Sequence, residues 1–457
     1  MMRTFSGLLF VAIAALPYLV MLGSFRSDDP ATPASTETLA ILSPHRREVR
    51  QEYSRAFSTW MREQTGRNVT IQWLDAGGTA KMLKDLESRY AAMPDRPGVD
   101  LLFGGGIAPY LTAIDQGWLT PVTIPPDVLS AIPPTCAGSA VYDPSNRWFG
   151  VALSSFGILY NRVIIDRMGL PTPVTWEDLG RPEYRTWLAS GDPRASGAVH
   201  MCYEIILQAL GFERGWNLLT RISANVRTFS EGGGTTPREV ANGEAAAGMV
   251  IDQYAQTVMD SVGSDALVFI LPPHATMIGA DSIGALRGGP APDLAAHFIT
   301  FALSETGQRI LFQPAGTNGQ RFALYRLPVR RDLYDQPVAP RMRPYDLEAG
   351  FVYNDALGSR RWRLINDLLG CWMIEPQTDL AAAWHAILDA GADPDRVAAL
   401  CRPPVTVAGM ETLLNQWNDS RFRLETMNAW SEAARRRYRA LAAGKQPPPE
   451  PAPKPQG

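Results

Sequence analysis

The sequence predicts an α/β fold made of two lobes, followed by additional helices. The first observation lies between residues 39 and 114, where short apolar runs typical of buried strands alternate with apolar residues at helical spacing. The second is a similar alternation between residues 150 and 254. Because each series is long enough for a sheet with its covering helices, we expect two α/β units that face each other across a cleft.

The composition describes a globular protein and excludes several classes. A chain of 457 residues has room for several domains, and its net charge of −3 argues against a nucleic-acid partner. No pair of its four cysteines has the CxxC spacing of a structural zinc site. The sequence leaves open whether Cys371 and Cys401 form a disulfide.

The two ends of the chain differ from the rest in composition. Residues 7–25 carry no charge and follow Arg3, and about 19 apolar residues are enough to span a bilayer. We therefore predict that residues 1–37 are a membrane anchor or a cleaved signal segment with a polar linker, and that the remainder is exported. Residues 444–457 are rich in proline, which predicts a disordered tail.

In the first unit, strands are predicted at residues 39–42, 69–74 and 99–103, and a helical pattern follows each of them. All three strands end in small or polar residues, the last of them in the three glycines of GVDLLFGGG. Ligands of such sheets bind beyond the carboxyl ends of the strands. Glycine-rich ends before helices also expose backbone N–H groups that attract anions. The glycine run therefore indicates a pocket wall of bare backbone.

The second unit repeats this organisation. Extended segments are predicted at residues 150–161, 187–189, 226–229 and 247–251, and turn or glycine-rich residues follow several of them. Among these, DPRASG at residues 192–197 leads into a helix, where Ser196 is placed to cap the helix or to touch a ligand.

No motif of a known catalytic centre appears. The glycine triplets lack the remaining residues of dinucleotide and P-loop motifs, and neither GxSxG nor HExxH occurs. The five histidines are scattered along the chain. We therefore predict no catalytic residues and no enzyme activity. The acidic residues Asp252 and Asp281 keep an enzyme as an alternative, although Asp281 is expected to be a hinge or capping residue.

Six segments in a fixed order carry a family resemblance. They are DLLFGGG (100–106), PVTWEDL (173–179), DPRASG (192–197), VANGE (240–244), IDQY (251–254) and FITFALSETGQRIL (298–311). On these motifs, residues 38–335 resemble the extracellular solute-binding proteins of ABC transporters, in the ferric-iron, polyamine and thiamine branch with the type 2 periplasmic-binding fold.

This resemblance implies a two-lobed protein that closes on a solute and delivers it to a membrane permease. The first lobe is expected at residues 38–150 and 280–340, and the second at residues 151–279. Hinges are expected at residues 151–155 and 280–283. The location implied is the periplasm or another extracytoplasmic compartment, with the N-terminal segment as an anchor.

The resemblance also implies a pocket lined by strand ends, the hinge and the helix starts of the second lobe. The residues at these positions are Ser43, His45, Gly78, Thr79, Gly105, Ser154, Ser155, Ser196, Gly197, Thr235, Asp252 and Tyr254. The expected solute is an oxygen-rich or anionic organic molecule, or ferric iron or its chelate. Iron binders of this branch commonly use two adjacent tyrosines, whereas this chain has Gln253 and Tyr254. His45 and Tyr254 are the candidate ligands if the solute is iron, and no resident cofactor is expected.

Residues 341–443 depart from the family pattern and form a predicted helical extension. Apolar residues recur there at helical spacing, for example at Leu380, Trp384 and Ile387. We expect the extension to pack on the first lobe, with a docking surface for a membrane partner as the alternative. This extension also favours a second function, a membrane-anchored module that senses a ligand.

Overall fold

The computed structural model describes residues 36–447, except residues 76, 264 and 349. Nearly all of the predicted N-terminal segment and most of the predicted tail lie outside these residues. Within the described part of the chain, no helix combines the length and the hydropathy that a membrane crossing requires.

Thirteen strands are found in the described residues. They are β1 (Glu37–Ser43), β2 (Val69–Asp75), β3 (Leu101–Phe103), β4 (Leu119–Thr120), β5 (Thr135–Cys136), β6 (Ser139–Ala140), β7 (Phe149–Asn161), β8 (Leu188–Gly191), β9 (Val226–Ser230), β10 (Ala247–Ile251), β11 (Leu267–Ile270), β12 (Ile278–Leu286) and β13 (Leu327–Pro328). All strands except the β5–β6 hairpin belong to one sheet with the order β2-β1-β3-β12-β7-β10-β8-β9.

The long strand β7 joins the two lobes. Its first half pairs antiparallel with β12 and β13, and its second half pairs antiparallel with β10 and β11. On either side of it, β1 runs parallel to β2 and β3, and β8 runs parallel to β9 and β10. The predicted hinge segments, residues 151–155 and 280–283, lie within β7 and β12, and Ala280 pairs with Leu153 there. Their function as hinges stays a prediction.

In the part of the chain that the structure describes, seventeen α-helices cover the sheet and form the extension. They are α1 (Arg47–Thr65), α2 (Thr79–Ala92), α3 (Ala108–Asp115), α4 (Pro126–Leu129), α5 (Arg162–Met168), α6 (Trp176–Leu179), α7 (Gly197–Ala209), α8 (Phe212–Asn225), α9 (Thr236–Ala241), α10 (Asp252–Val262), α11 (Pro292–Leu303), α12 (Glu305–Arg309), α13 (Asp355–Leu369), α14 (Gln377–Asp389), α15 (Pro394–Cys401), α16 (Val407–Leu414) and α17 (Ser420–Ala442). The two-lobed α/β architecture with C-terminal helices confirms the predicted fold class.

The prediction that the extension packs on the first lobe holds only in part. The hydroxyl of Ser359 on α13 donates to the carbonyl oxygen of Ala108 on α3, at 3.2 Å. The apolar side chains of the extension, such as Trp372 and Trp384, instead belong to one continuous core with Tyr203 and Trp216 of the second lobe. The apolar stripes of the sequence indicate a buried face, but they do not specify which lobe covers it. The first lobe has its own core, in which Phe298 packs against helix α1 and the sheet.

The four cysteines are free and buried. Cys371 and Cys401 therefore do not form the disulfide that the sequence left open.

Candidate functional site

A cavity of about 770 Å³ lies between the two lobes. Nine of the twelve predicted ligand-binding residues line it, namely His45, Gly78, Thr79, Gly105, Ser154, Ser196, Gly197, Thr235 and Tyr254. The other three, Ser43, Ser155 and Asp252, are buried or half-buried behind the wall. Ser43 hydrogen-bonds to His45 of the wall, and Asp252 accepts from Ser155 and from Gln253 of the wall. The sequence therefore identified the region of the cavity, because the ends of the strands meet at one edge of the sheet.

Gly105 and Gly106 of GVDLLFGGG line the cavity with bare backbone, and the neighbouring Gly104 packs against His45. Gly104 and Gly105 have φ angles of 98° and 92°, in the left-handed region that side chains rarely adopt. A Cβ atom at Gly104 would lie 2.7 Å from the ring of His45, and one at Gly105 would lie 2.9 Å from Met82. Only glycine fits at these positions, so the run serves close packing around the cavity.

A chain of polar contacts fixes His45 at the bottom of the cleft. The hydroxyl of Ser43 lies 3.0 Å from Nδ1 of His45, and Nε2 of His45 lies 2.8 Å from the carboxylate of Asp281. The guanidinium of Arg326 donates to the same carboxylate. Asp281 lies on β12 and Arg326 just before β13, so the network ties together the strands of the first lobe.

Electrostatics define the protonation states in this network. Burial lowers the pKa of His45 although the Asp281 carboxylate opposes the shift. The ring is therefore neutral at pH 7, with its proton on Nε2 facing Asp281 and its Nδ1 accepting from Ser43. Burial alone would raise the pKa of Asp281, but His45 and Arg326 outweigh it and hold that pKa well below its usual range. Asp281 is thus an ionised residue that holds this network together.

A second carboxylate, the half-buried one of Asp252, braces the junction between the lobes. Asp252 accepts hydrogen bonds from the backbone N–H and the hydroxyl of Ser155, at 2.8 and 3.0 Å. It also accepts from the N–H of Gln253 at 2.6 Å. Burial nevertheless raises the pKa of Asp252 to about 6. These contacts join β7 to the start of α10, so Asp252 supports the wall and does not face the cavity.

The wall of the second lobe combines a glycine turn with an arginine from the first lobe. The guanidinium of Arg46 lies over the ring of Tyr254, 3.8 Å from its centroid. Arg46 also packs so closely against Gly234 that a Cβ atom there would overlap its guanidinium. At Gly233 a Cβ atom would lie 2.6 Å from the hydroxyl of Ser196. Gly232, Gly233 and Gly234 therefore leave backbone exposed to the cavity.

Six helices of eight or more residues begin at the cavity, and residues at the start of each line it. They are α1, α2 and α3 of the first lobe, α7 and α10 of the second and α13 of the extension; α10 and α13 begin with the carboxylates Asp252 and Asp355. The first three have no side-chain hydrogen bond that caps their N-termini. At α7 the hydroxyl of Ser196 accepts from the N–H of Val199 at 3.4 Å. Uncapped first-turn N–H groups and the helix dipoles together attract a negatively charged ligand.

The two lobes touch directly where α2 and α7 begin. A Cβ atom at Gly78 would lie 2.9 Å from the carbonyl oxygen of Ala195, and one at Gly197 would lie 2.6 Å from Oγ1 of Thr79. Because Thr79 is buried, its side chain has little room to move away from such an atom. Both glycines therefore allow the lobes to approach each other as they do in this structure.

Replacing Gly197 with alanine is expected to force the cleft open. The added methyl group overlaps Thr79, and overpacking of this kind costs about 1–3 kcal/mol, so ligand affinity falls about tenfold or more. Helix α7 itself gains slightly, because alanine favours helix at this position. Small-angle scattering should show an increased radius of gyration. The double variant Gly197→Ala with Thr79→Ala removes the overlap and should restore the compact shape; an unchanged radius in the single variant would contradict the expectation.

Three further candidates for ligand binding line the cavity but were not predicted from the sequence, namely Arg46, Arg326 and Trp362. Arg46 directly follows the predicted His45, and this adjacency was the one available signal. Arg326 and Trp362 are distant in sequence from every predicted strand end, and no local pattern marks them.

Comparison with known proteins agrees with this geometry. Residues 96–318 match the sequence profile of the bacterial extracellular solute-binding proteins. Over these residues the chain is similar to that family. The phosphoglycerate transport regulatory protein PgtC of Salmonella typhimurium is 29% identical over 287 residues, which cover 61% of this chain and 69% of that protein.

Solved structures of periplasmic binding proteins share the fold of the solute-binding part. The protein AfuA from Actinobacillus pleuropneumoniae, with fructose 6-phosphate bound, superposes with a TM-score of 0.58 at 19% identity. The superposition covers 73% of this chain and 98% of AfuA. The ferric binding protein from Campylobacter jejuni gives a TM-score of 0.56 at 19% identity, with 73% and 99% coverage. At these identities the likeness establishes the type 2 periplasmic-binding fold and leaves the ligand unspecified.

Proposed function

We propose that the protein captures a small organic anion, with a phosphate or carboxylate group, in the interlobe cavity and delivers it to an ABC transporter permease without catalysing a reaction. The observation that carries this proposal is that α1, α2, α3 and α7 all begin at one cavity, the first three of them without a side-chain cap. The N–H groups that such ends expose are suited to bind a phosphate or carboxylate.

Side-chain charge alone does not select an anion. The cavity is lined by equal numbers of basic and acidic residues, namely Arg46, Arg238, Arg321, Arg326, Glu48, Glu231, Asp281 and Asp355. The buried carboxylate of Asp281 is already neutralised by Arg326. Burial raises the pKa of Asp355 to about 6, which reduces its negative charge in mildly acidic solution. The backbone donors therefore decide the preference.

The solutes named for two similar proteins support the same class of ligand, an organic anion. PgtC is named for the transport of phosphoglycerate, and AfuA was solved with fructose 6-phosphate. Both molecules are phosphorylated organic anions. A cavity of about 770 Å³ has room for a molecule of this size.

Ferric iron or its chelate, the other solute considered, has weaker support. Both ring nitrogens of His45 are engaged, one with Ser43 and one with Asp281. The guanidinium of Arg46 covers the ring of Tyr254, so a trivalent cation at that phenol would meet a positive charge.

The sensing function remains the second candidate, because PgtC is named as a regulatory protein. A sensor of this kind would bind the same class of solute and pass its occupancy to a membrane partner. Export of the chain, and its attachment to the membrane by residues 7–25, complete the proposal for either function.

Arg46→Gln is expected to weaken binding of an organic phosphate about 10-fold to 100-fold, because it removes a charged donor from the cavity. The measurement is calorimetric titration of the full chain with 3-phosphoglycerate, fructose 6-phosphate and ferric citrate. Arg47→Gln, an exposed neighbour outside the cavity, is the matched control and should bind as the wild type does. Saturating binding should also raise the melting temperature.

Two outcomes would count against this function. One is a wild-type chain that binds no organic anion. The other is stoichiometric ferric iron that Arg46→Gln does not weaken, which would restore the iron hypothesis.

A further inference from the structure

The helical extension supplies part of the cavity wall. Trp362 of α13 lines the cavity, together with Tyr353 and Asp355, which lie just before α13 and at its first residue. All three residues lie beyond the segment 96–318 that matches the family profile. This part of the wall therefore comes from a region that the family pattern does not describe.

The indole of Trp362 is held in a fixed orientation by the second lobe. It lies against the ring of His200, with 3.6 Å between the ring centroids. With the amide of Asn366 oriented to satisfy its neighbours, the amide oxygen accepts from Nε1 of Trp362 at 3.1 Å and the nitrogen donates to Nδ1 of His200 at 2.7 Å. Burial lowers the pKa of His200 to about 3, so this ring is neutral. A side chain locked in this way is preorganised for contact with a ligand.

Trp362 lies next to the proposed anion-binding end of α7. Its ring comes within 3.7 Å of the Cβ position of Gly197, the first residue of that helix. A ligand whose charged group binds at the helix N-termini would therefore bring its carbon skeleton against the indole. The indole is partly exposed, as such a contact requires.

We propose that Trp362 is a specificity-determining residue, which favours anions that carry a sugar or polyol skeleton over bare inorganic anions. This proposal rests on the proposed function, because it assumes that an anionic group occupies the adjoining helix N-termini. The flat face of an indole packs against C–H groups and excludes water from them. Inorganic phosphate has no such groups and gains nothing from the contact.

The test compares two probes in calorimetric titrations of the full chain, fructose 6-phosphate and inorganic phosphate. Trp362→Ala is expected to weaken fructose 6-phosphate about tenfold while leaving the affinity for inorganic phosphate within about twofold. Trp362→Leu fills much of the same space without an aromatic face, so it should also lose most of the preference. It keeps the test usable if the alanine variant unfolds. Trp60→Ala changes a partly buried tryptophan outside the cavity and is the matched control.

The outcomes separate this proposal from the one on which it rests. If the wild type binds neither probe, the anionic solute itself is overturned, and the role of Trp362 with it. If the wild type binds fructose 6-phosphate and both Trp362 variants bind it equally well, only the role of Trp362 is overturned. An equal loss for both probes would also overturn it, because that result indicates a structural effect.

Discussion

Replacing Arg361 with methionine lowers the free energy of unfolding by about 3–5 kcal/mol. Arg361 lies on α13, and its guanidinium donates twice to one carboxylate oxygen of Glu204 on α7, at 2.9 and 2.7 Å. The side chains of Glu204 and Arg361 are 0% and 7% exposed. Without Arg361 the carboxylate is left buried with only the amide of Gln208 as a partner, at 2.8 Å. Urea denaturation at pH 7.5 measures the loss.

The loss of stability in Arg361→Met should change with pH in one direction. Burial raises the pKa of Glu204, and in the wild type Arg361 opposes the shift. Removing Arg361 raises the pKa of Glu204 further. At a pH above this pKa, the unpaired buried carboxylate destabilises the folded protein, and at a pH below it the group is protonated and the destabilisation disappears. The loss of stability in Arg361→Met should therefore shrink as the pH falls from 7.5 toward 5.

Two further variants make the result specific. Arg360→Met changes the adjacent residue, whose pair with Glu411 is exposed, and should cost less than about 1 kcal/mol. The double variant Arg361→Met with Glu204→Leu removes both charges and should recover most of the loss. If Arg361→Met were no less stable than Arg360→Met, the extension would not depend on this ion pair for its attachment to the second lobe.

The sequence predicted the elements and the location of the cavity well, for a physical reason. Strands buried on both faces appear as continuous apolar runs, as in the segment of β10, whose bounds at residues 247–251 agree with the structure. Since parallel strands end at the same edge of a sheet, their polar ends predicted a common cleft. Gly105 and Gly106 line the cavity, where the sequence predicted a backbone wall because no catalytic motif surrounded the glycine run.

What the sequence could not predict depends on side-chain direction and on long-range packing. Arg326 reaches Asp281, and Trp362 reaches the start of α7, across large separations along the chain. An amphipathic helix indicates that one of its faces is buried, but several apolar surfaces of similar chemistry compete to cover it. The sequence therefore did not determine that α13 contacts both lobes, through Arg361 to Glu204 on α7 and through Ser359 to Ala108 on α3.

Replacing Asp281 with asparagine lowers the free energy of unfolding at pH 7 by about 3–5 kcal/mol. The loss arises because Arg326, whose side chain is 9% exposed, is then buried without a counter-charge. Asparagine has nearly the same shape as aspartate and still offers an oxygen to Nε2 of His45. The loss in free energy of unfolding therefore measures the effect of removing the negative charge of Asp281. As a control, Asp332→Asn removes an exposed partner of Arg330 and should cost less than about 1 kcal/mol.

The cost of Asp281→Asn should also depend on pH in one direction. Because the folded protein holds the pKa of Asp281 well below its ordinary value of 3.8, the stabilisation is fully present above that value. It is lost as the pH falls further, since the unfolded chain then takes up a proton that the folded chain does not. The cost should thus be constant from pH 7 to 5 and about 1 kcal/mol smaller at pH 3. The measurement is urea denaturation of the wild type and of Asp281→Asn at these three pH values. If the free-energy cost of the substitution instead grew toward acid pH, Asp281 would be protonated in the folded protein and another group would neutralise Arg326.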